Sequence, residues 1–276
     1  MKIKRSERLV DMTEYILARP HTLIPLTFFA KRYSSAKSSI SEDLGILKKT
    51  FQDRGIGLVE TVPGASGGAK YMPYILKEDA RKFMDEMIEI LNNSQRLLPG
   101  GYVYMSDIFG DPEKLRYLGR IIATQYLNQK VDAVLTVATR GVPIAQAVST
   151  YLNVPLVIAR HDSNITEGST VNVNYMSGSS KKIKRMTISK RSLDEGSNVI
   201  IVDDFIHGGG TINGLSSLIK EFDCNLVGST FFAEGASDKE RDFGDYTSLV
   251  KMENQPNDEM IITEGNYDEK IFGSGK

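Results

Sequence analysis

Short apolar runs and helical stretches take turns along the body of this chain. "YVYM" is followed by "EKLRYLGRIIATQYL" and "AVLTVA" by "PIAQAVSTYL". "LVIA" leads into a long polar insertion, "NVIIVDDF" is followed by "TINGLSSLIKEF", and "LVGSTFFA" by the tail "YTSLVKM". Strands that are apolar throughout need cover on both faces. A parallel sheet flanked by helices supplies it. Residues 75–276 are therefore expected to form a doubly wound parallel α/β sheet. In such sheets ligands bind beyond the carboxyl ends of the strands. An amphipathic helix, "KEDARKFMDEMIEILNNSQRL", opens this body with Phe83, Met84, Met87, Ile88 and Leu91 on one side.

One strand end stands out. In "VIIVDDFIHGGGTINGL" four apolar residues run into Asp203 and Asp204, and three glycines and a threonine follow. A glycine-rich turn opening a helix gathers backbone N–H donors and the positive end of the helix dipole, which suits a phosphate. Phosphate alone has no use for two carboxylates, but a sugar phosphate does. Gly208, Gly209, Gly210 and Thr211 would wrap the phosphate, with the Thr211 hydroxyl binding it or capping the helix. Asp203 and Asp204 would accept hydrogen bonds from the ribose diol or hold a hydrated Mg²⁺. No Lys-Ser/Thr follows the glycines, as a nucleoside-triphosphate loop requires, and no G-x-G-x-x-G is present.

Residues 1–74 read differently. "SERLVDMTEYILARP" carries Leu9, Val10, Met12, Thr13, Ile16 and Leu17 at helical spacing, with Ser6 as cap and Pro20 beyond the end. "IPLTFFAKRYSS" is a short helix with Leu26, Phe29 and Ala30 on one face. "SSAKSSISEDLGILKKTFQDRG" is a third, built on Ile40, Leu44, Leu47 and Phe51 and stopped by Gly55. "GLVETV" and "AKYM" follow as strands joined by "PGASGG". Three helices and a hairpin make a winged helix-turn-helix. Lys37, Ser38, Ser39 and Ser41 open the third helix and can approach phosphates and base edges in a major groove. Lys2, Lys4, Arg5, Arg8, Lys31 and Arg32 are candidates for contacts to the DNA backbone, and Lys70 beside the wing for an adjacent minor groove. The same pattern also fits a helical dimerisation domain with a basic surface.

Charge supports the division. Residues 1–74 hold twelve Lys and Arg against seven Asp and Glu, a balance of +5; the remainder holds 22 against 28, or −6. A basic head on an acidic body points to a polyanion met by the head alone. Cys224 is the only cysteine, so no intrachain disulfide or cysteine-based zinc site forms. No apolar run approaches the roughly 20 residues that span a bilayer, and "MKIKRSERLVDM" lacks the apolar core of a secretory signal. A cytoplasmic protein without membrane contact is expected, and the Asn92 and Asn164 triplets carry no glycan. His21, His161 and His207 are too scattered for a metal site. The insertion at about 160–191 reads as a β-hairpin, "STVNVNYM" and "KIKRMTIS" around "SGSS", carrying Lys181, Lys182, Lys184 and Arg185. It fits a lid over an anion, a solvated arm or a dimer contact.

"VIIVDDFIHGGGT" resembles the phosphoribosyl-pyrophosphate (PRPP) motif of type I phosphoribosyltransferases. "VDAVLTVATRGVPIAQAVSTYLNVPLVIAR" is similar to their pyrophosphate-loop region, and "YVYMSDIFGDPEKLRYLGRIIA" and "TEGSTVNVNY" resemble xanthine phosphoribosyltransferases. "KRSERLV", "LIPLTFFAKRYSSAKSSISEDL" and "GASGGAKY" are similar to the DNA-binding domain of the purine operon repressors of Gram-positive bacteria, a family the chain resembles over its whole length. That resemblance implies a homodimeric repressor of purine biosynthesis genes that binds double-stranded operator DNA. It also implies an effector, PRPP or a related purine nucleotide, with Mg²⁺, that relieves repression, and a phosphoribosyltransferase fold without catalysis. The alternative is an active purine phosphoribosyltransferase with an accessory DNA-binding head. On the family pattern Asp203 and Asp204 face the ribose hydroxyls and the metal. Phe205, Ile206, His207 and the residues to Thr211 hold the 5′-phosphate. Ala138, Thr139, Arg140 and Gly141 form the pyrophosphate loop, and Tyr102 and Arg160 contact base or phosphate. Two residues depart from the pattern: Gly208 stands where the enzymes have Thr or Ser, and Arg140 where the regulators have Lys.

Overall fold

The computed structural model describes residues 3–64, 67–98, 102–162, 168–176, 182–235, 244–254 and 260–273. The chain divides into two compact units, with the boundary between Leu76 and Lys77.

The first unit is a winged helix. Helices α1 (Arg5–Leu17), α2 (Leu26–Arg32) and α3 (Lys37–Asp53) accompany strands β1 (Leu23–Pro25), β2 (Leu58–Val62) and β3 (Gly68–Met72), which pair antiparallel in the order β1-β3-β2. The core is Met12 and Ile16 of α1, Phe29 of α2, Ile40, Leu44, Leu47 and Phe51 of α3, and Val59 and Tyr71 of the hairpin. All four residues expected to build α3 are therefore buried. Two local expectations fail. Helix α1 starts one residue before Ser6, and its first turn is closed by Lys4, whose backbone N–H donates to Glu7 Oε2 at 2.9 Å. Val10, counted on the apolar side, is 72% exposed, because Met12 and Ile16 already fill the seam. Strand β1 had no sequence signal: Leu23–Pro25 is too short to show alternation and lengthens the wing only by pairing.

The second unit opens with α4 (Lys77–Leu91). A small hairpin follows, β4 (Leu97–Leu98) with β5 (Tyr102–Val103), and then α5 (Ser106–Gly110) and α6 (Pro112–Gln125). "YVYM" thus gives a two-residue strand outside the main sheet. Chain order from there is β6 (Ala133–Val137), α7 (Val142–Leu152), β7 (Leu156–Ala159), β8 (Thr170–Met176), β9 (Ile183–Ser189), β10 (Asn198–Ile206), α8 (Gly210–Glu221), β11 (Asn225–Glu234), β12 (Thr247–Asn254) and β13 (Met260–Glu264). The main sheet has six strands in the order β13-β12-β11-β10-β6-β7. Its pairs are parallel apart from the antiparallel edge pair β12–β13, which the alternation pattern did not foretell. Ala133, Leu135, Val137, Val199 and Ile201 pack on one face against Ile212, Leu215 and Leu218 of α8. On the other, Tyr126 after α6 donates to or accepts from Thr230 at 3.1 Å, and Phe109 of α5 meets Phe232 edge-on. Helices therefore cover both faces.

The order of strands places the site. From β6 the chain crosses to β7 on one side; from β10 it crosses to β11 on the other. The neighbours β6 and β10 hence diverge at their carboxyl ends, which opens a crevice at this switch point.

Candidate ligand site and nucleic-acid interface

Both loops of the sequence analysis meet at that crevice. Ala138–Gly141 leaves the end of β6, and Asp203–Thr211 spans the end of β10 and the start of α8. Asp203 and Asp204 are 5% and 9% exposed. The Thr136 hydroxyl donates to Asp203 Oδ1 at 3.4 Å, and the Asp204 backbone N–H donates to the same oxygen at 3.0 Å. Gly141 lies against this carboxylate: a Cβ there would overlap Asp203 Oδ1 and come within 2.6 Å of Thr136 Oγ1. Arg140 Nε lies 3.2 Å from Asp204 Oδ2. Burial, and then the Asp204 charge, hold the Asp203 carboxyl well above the usual carboxylate range. Burial also raises Asp204, with Arg140 opposing. Two acids in a dry site want more positive charge than one arginine gives. Their hard oxygens suit Mg²⁺, which completes its shell with water and ligand oxygens.

Past the acids, Gly209 takes a left-handed φ of 71° and caps α8, which starts at Gly210. A side chain at 209 would strain this turn. The free N–H groups of the first turn of α8 therefore face the crevice side of the strand end. Phe205 and His207 point the same way along β10. Their rings are near parallel at 7° with centroids 6.4 Å apart, over Gly235 at the end of β11. The side chain of Ile206 is turned into the core, which leaves only its backbone to a ligand.

The hairpin β8–β9 is not a free arm. Val173, Tyr175, Met186 and Ile188 join the core that holds α8, and the Tyr175 ring sits on Gly214. Burial raises the Tyr175 hydroxyl, against which a hydrogen bond with Thr211 acts. Arg160 bridges to Thr187 through two backbone hydrogen bonds, at 3.0 and 2.8 Å. His161 stacks on Tyr175 and meets the Arg185 carbonyl at 3.1 Å. The outward side keeps Lys182, Lys184 and Arg185 exposed; Lys181 lies outside the described residues.

In the head, Asp43 of α3 is fully buried and holds two arginines of α1. Arg8 Nη2 lies 2.7 Å from Oδ2, and Arg5 Nε 2.9 Å from Oδ1. Arg32 grips Asp11 with two bonds of 2.7 and 2.8 Å. Lys70 lies 3.0 Å from Glu60. Lys4, Lys31, Lys37, Ser38 and Ser41 are exposed, and Ser39 is half-buried.

Residues 4–73 match the family model of the bacterial purine repressor N-terminal domain, and residues 111–267 that of the phosphoribosyl transferase domain. The chain is 49% identical to the purine biosynthesis transcriptional repressor PurR of Bacillus subtilis, over 97% of this chain and 94% of that one. It is 51% identical to the purine biosynthesis transcriptional activator PurR of Lactococcus lactis strain IL1403, over 91% and 93%. The chain belongs to the bacterial purine-repressor family. Among solved structures, the fold of the body is that of adenine phosphoribosyltransferase from Thermoanaerobacter pseudethanolicus. That match has a TM-score of 0.53 and 23% identity, and covers 60% of this chain and 98% of the other.

In this purine-repressor chain the fold brings together Ala138 to Gly141 with Asp203 to Thr211, 65 residues or so apart in sequence. Tyr102 lies on β5, outside the main sheet, and is 68% exposed. On the head, Arg8 is a correction: its guanidinium is buried on Asp43 and is not presented to a phosphate. Arg32, turned to Asp11, and Arg5, turned to Asp43, hold helices together before they hold anything else. Lys2 lies outside the described residues. Glu42 and Lys49 share the outer stripe of α3 with Ser38; the helical repeat, four residues from Ser38 and seven more from Glu42, is their one sign in the sequence. Tyr175, an aromatic in an alternating strand, carries no sign in the sequence of reaching α8. Among the described residues no three His, Cys, Asp or Glu side chains converge as a metal-ligand group, and no helix is long and apolar enough to cross a membrane.

Proposed function

We propose that this protein is a DNA-binding repressor of purine biosynthesis genes, cytoplasmic and homodimeric, whose body binds PRPP with Mg²⁺ and so relieves repression. The observation that carries the ligand is the acid pair at the switch point, running into a helix start with free backbone donors. Gly208 to Thr211 would take the 5′-phosphate, Asp203 and Asp204 the ribose diol and the metal, and Thr139, Arg140 and Gly141 the pyrophosphate. The metal would neutralise the crowded phosphates and acids. The chain's own residues orient the ligand: Arg140 faces the anionic end, and the Phe205 and His207 rings offer stacking surfaces beyond the sugar. The regulatory names of the relatives support the DNA role.

Sensing is a linkage of affinities: if PRPP binds better to the state that binds DNA less well, each ligand weakens the other by the same factor. Operator binding measured with and without Mg–PRPP tests this. Affinity should fall with the ligand, and unchanged affinity overturns the sensing role. Asp203→Ala should keep DNA binding and lose the response. The intact acid pair and loop also suit phosphoribosyl transfer, which needs positioning and electrostatics but no nucleophile. Release of pyrophosphate from PRPP with any purine base would establish that second reading.

A further inference from the structure

Helix α3 turns Ile40, Asp43, Leu44, Leu47 and Phe51 inward. At 3.6 residues per turn, Ser38, Glu42, Gly45 and Lys49 fall on the opposite side, and all four are exposed. Ser38 and Lys49 suit a helix laid on DNA. Glu42 does not: phosphates repel a carboxylate, and an acid in the middle of such a stripe weakens binding to any sequence. A carboxylate gains in a major groove only where a base edge offers it a donor, and cytosine N4–H₂ is the base edge that pairs with Glu.

The local geometry suits that task. The Glu42 side chain is 70% exposed, with Oε2 3.5 Å from Arg5 Nη2. Arg5 is itself fixed, with its Nε on the buried Asp43 carboxylate. A cation anchored in the core thus steadies Glu42 and offsets part of its charge, and the other carboxylate oxygen stays open. One turn along, Gly45 carries no side chain, and open space lies where its Cβ would stand.

We infer that Glu42 is a specificity-determining residue of the DNA interface, accepting a hydrogen bond from the N4 amino group of a cytosine in the major groove. Arg5 is its positioning residue. The inference rests on the DNA-binding reading above.

The test is selection of duplexes from a randomised pool by the full-length protein, for wild type, Glu42→Ala and Glu42→Gln. Wild type should select a C·G pair at one position, about 5- to 150-fold over the other pairs, the range of one good base contact. Glu42→Ala should accept all four pairs there and keep its other preferences. Glu42→Gln, which keeps the side-chain shape, should shift the preference toward A·T, since Gln pairs with adenine. If both variants select the wild-type motif, or lose affinity evenly at every position, Glu42 does not read a base and the inference falls. A wild type that selects no sequence removes the DNA-binding reading itself.

Discussion

Arg140 Nε lies 3.2 Å from Asp204 Oδ2, across the crevice between two parallel strands. Among the described residues, it is the basic side chain that faces the acid pair. Arg140→Met should leave Asp204 facing Asp203 without a cation, raise both carboxyl groups further, and weaken Mg–PRPP binding at least about tenfold, the scale of one charge-assisted hydrogen bond. Arg140→Lys should keep most of the affinity. Calorimetric titration of the three proteins decides; equal affinities would remove Arg140 from the site.

Gly141 has no room for a side chain, because Asp203 and Thr136 occupy the space. Gly141→Ala should cost about 1–3 kcal/mol of stability, the usual penalty for overpacking, and displace the Asp203 carboxylate. Thermal melting and ligand titration would show both losses together.

The ring of Tyr175 packs on Gly214 of α8, and its hydroxyl is turned toward the polar side chain of Thr211 in the first turn. Tyr175→Phe keeps the ring on Gly214 and removes the polar interaction with Thr211. Mg–PRPP affinity should fall roughly 2- to 10-fold, the worth of one neutral hydrogen bond, with little change in melting temperature. An unchanged affinity would confine Tyr175 to packing.

Asp43 is fully buried between Arg8 and Arg5. Asp43→Asn strands the buried Arg8 guanidinium, and breaking such a pair costs about 3–5 kcal/mol. The head should unfold at lower denaturant than the body, giving two transitions where wild-type heads and bodies separate less. A single unshifted transition would contradict the buried pair.

His21 supplies a pH test. Burial first, and then the Lys70 charge, lower its pKa from the ordinary 6.5. Its Nε2 is buried without a hydrogen-bond partner. The unfolded chain therefore takes up the proton more readily than the folded head. The stability this provides is full above about pH 6.5 and is lost as pH falls through the lowered value. Melting temperature should drop on that acid side. His21→Asn should flatten the drop, since Asn tolerates the left-handed φ of 55° at this position; an equal drop in the variant would exclude His21 as its source.

Much of this molecule was legible in its sequence for a physical reason. The strands of the body are apolar throughout, and the helices of the head repeat every three or four residues, so each element declares its buried face locally. The acid pair and glycines of 203–211 were legible because their chemistry sits in one continuous stretch. Partners far apart in sequence were not legible. Asp43 reads as a polar residue in a recognition helix until Arg8 is seen beside it, and Arg8 reads as a DNA-binding cation for the same reason. Strands β1 and β13 carry too little pattern of their own; pairing defines them.

The pairing of β6 with β10 sets Ala133 against Val199, whereas the head closes on contacts among its first seventy or so residues. Contacts between distant residues form later than local ones, and during synthesis the earlier unit folds first. The crevice therefore exists only after the centre of the sheet has closed. A growing or partly folded chain can own a finished head while it is still blind to any ligand of the body. Folding itself separates in time the two abilities that the mature protein links.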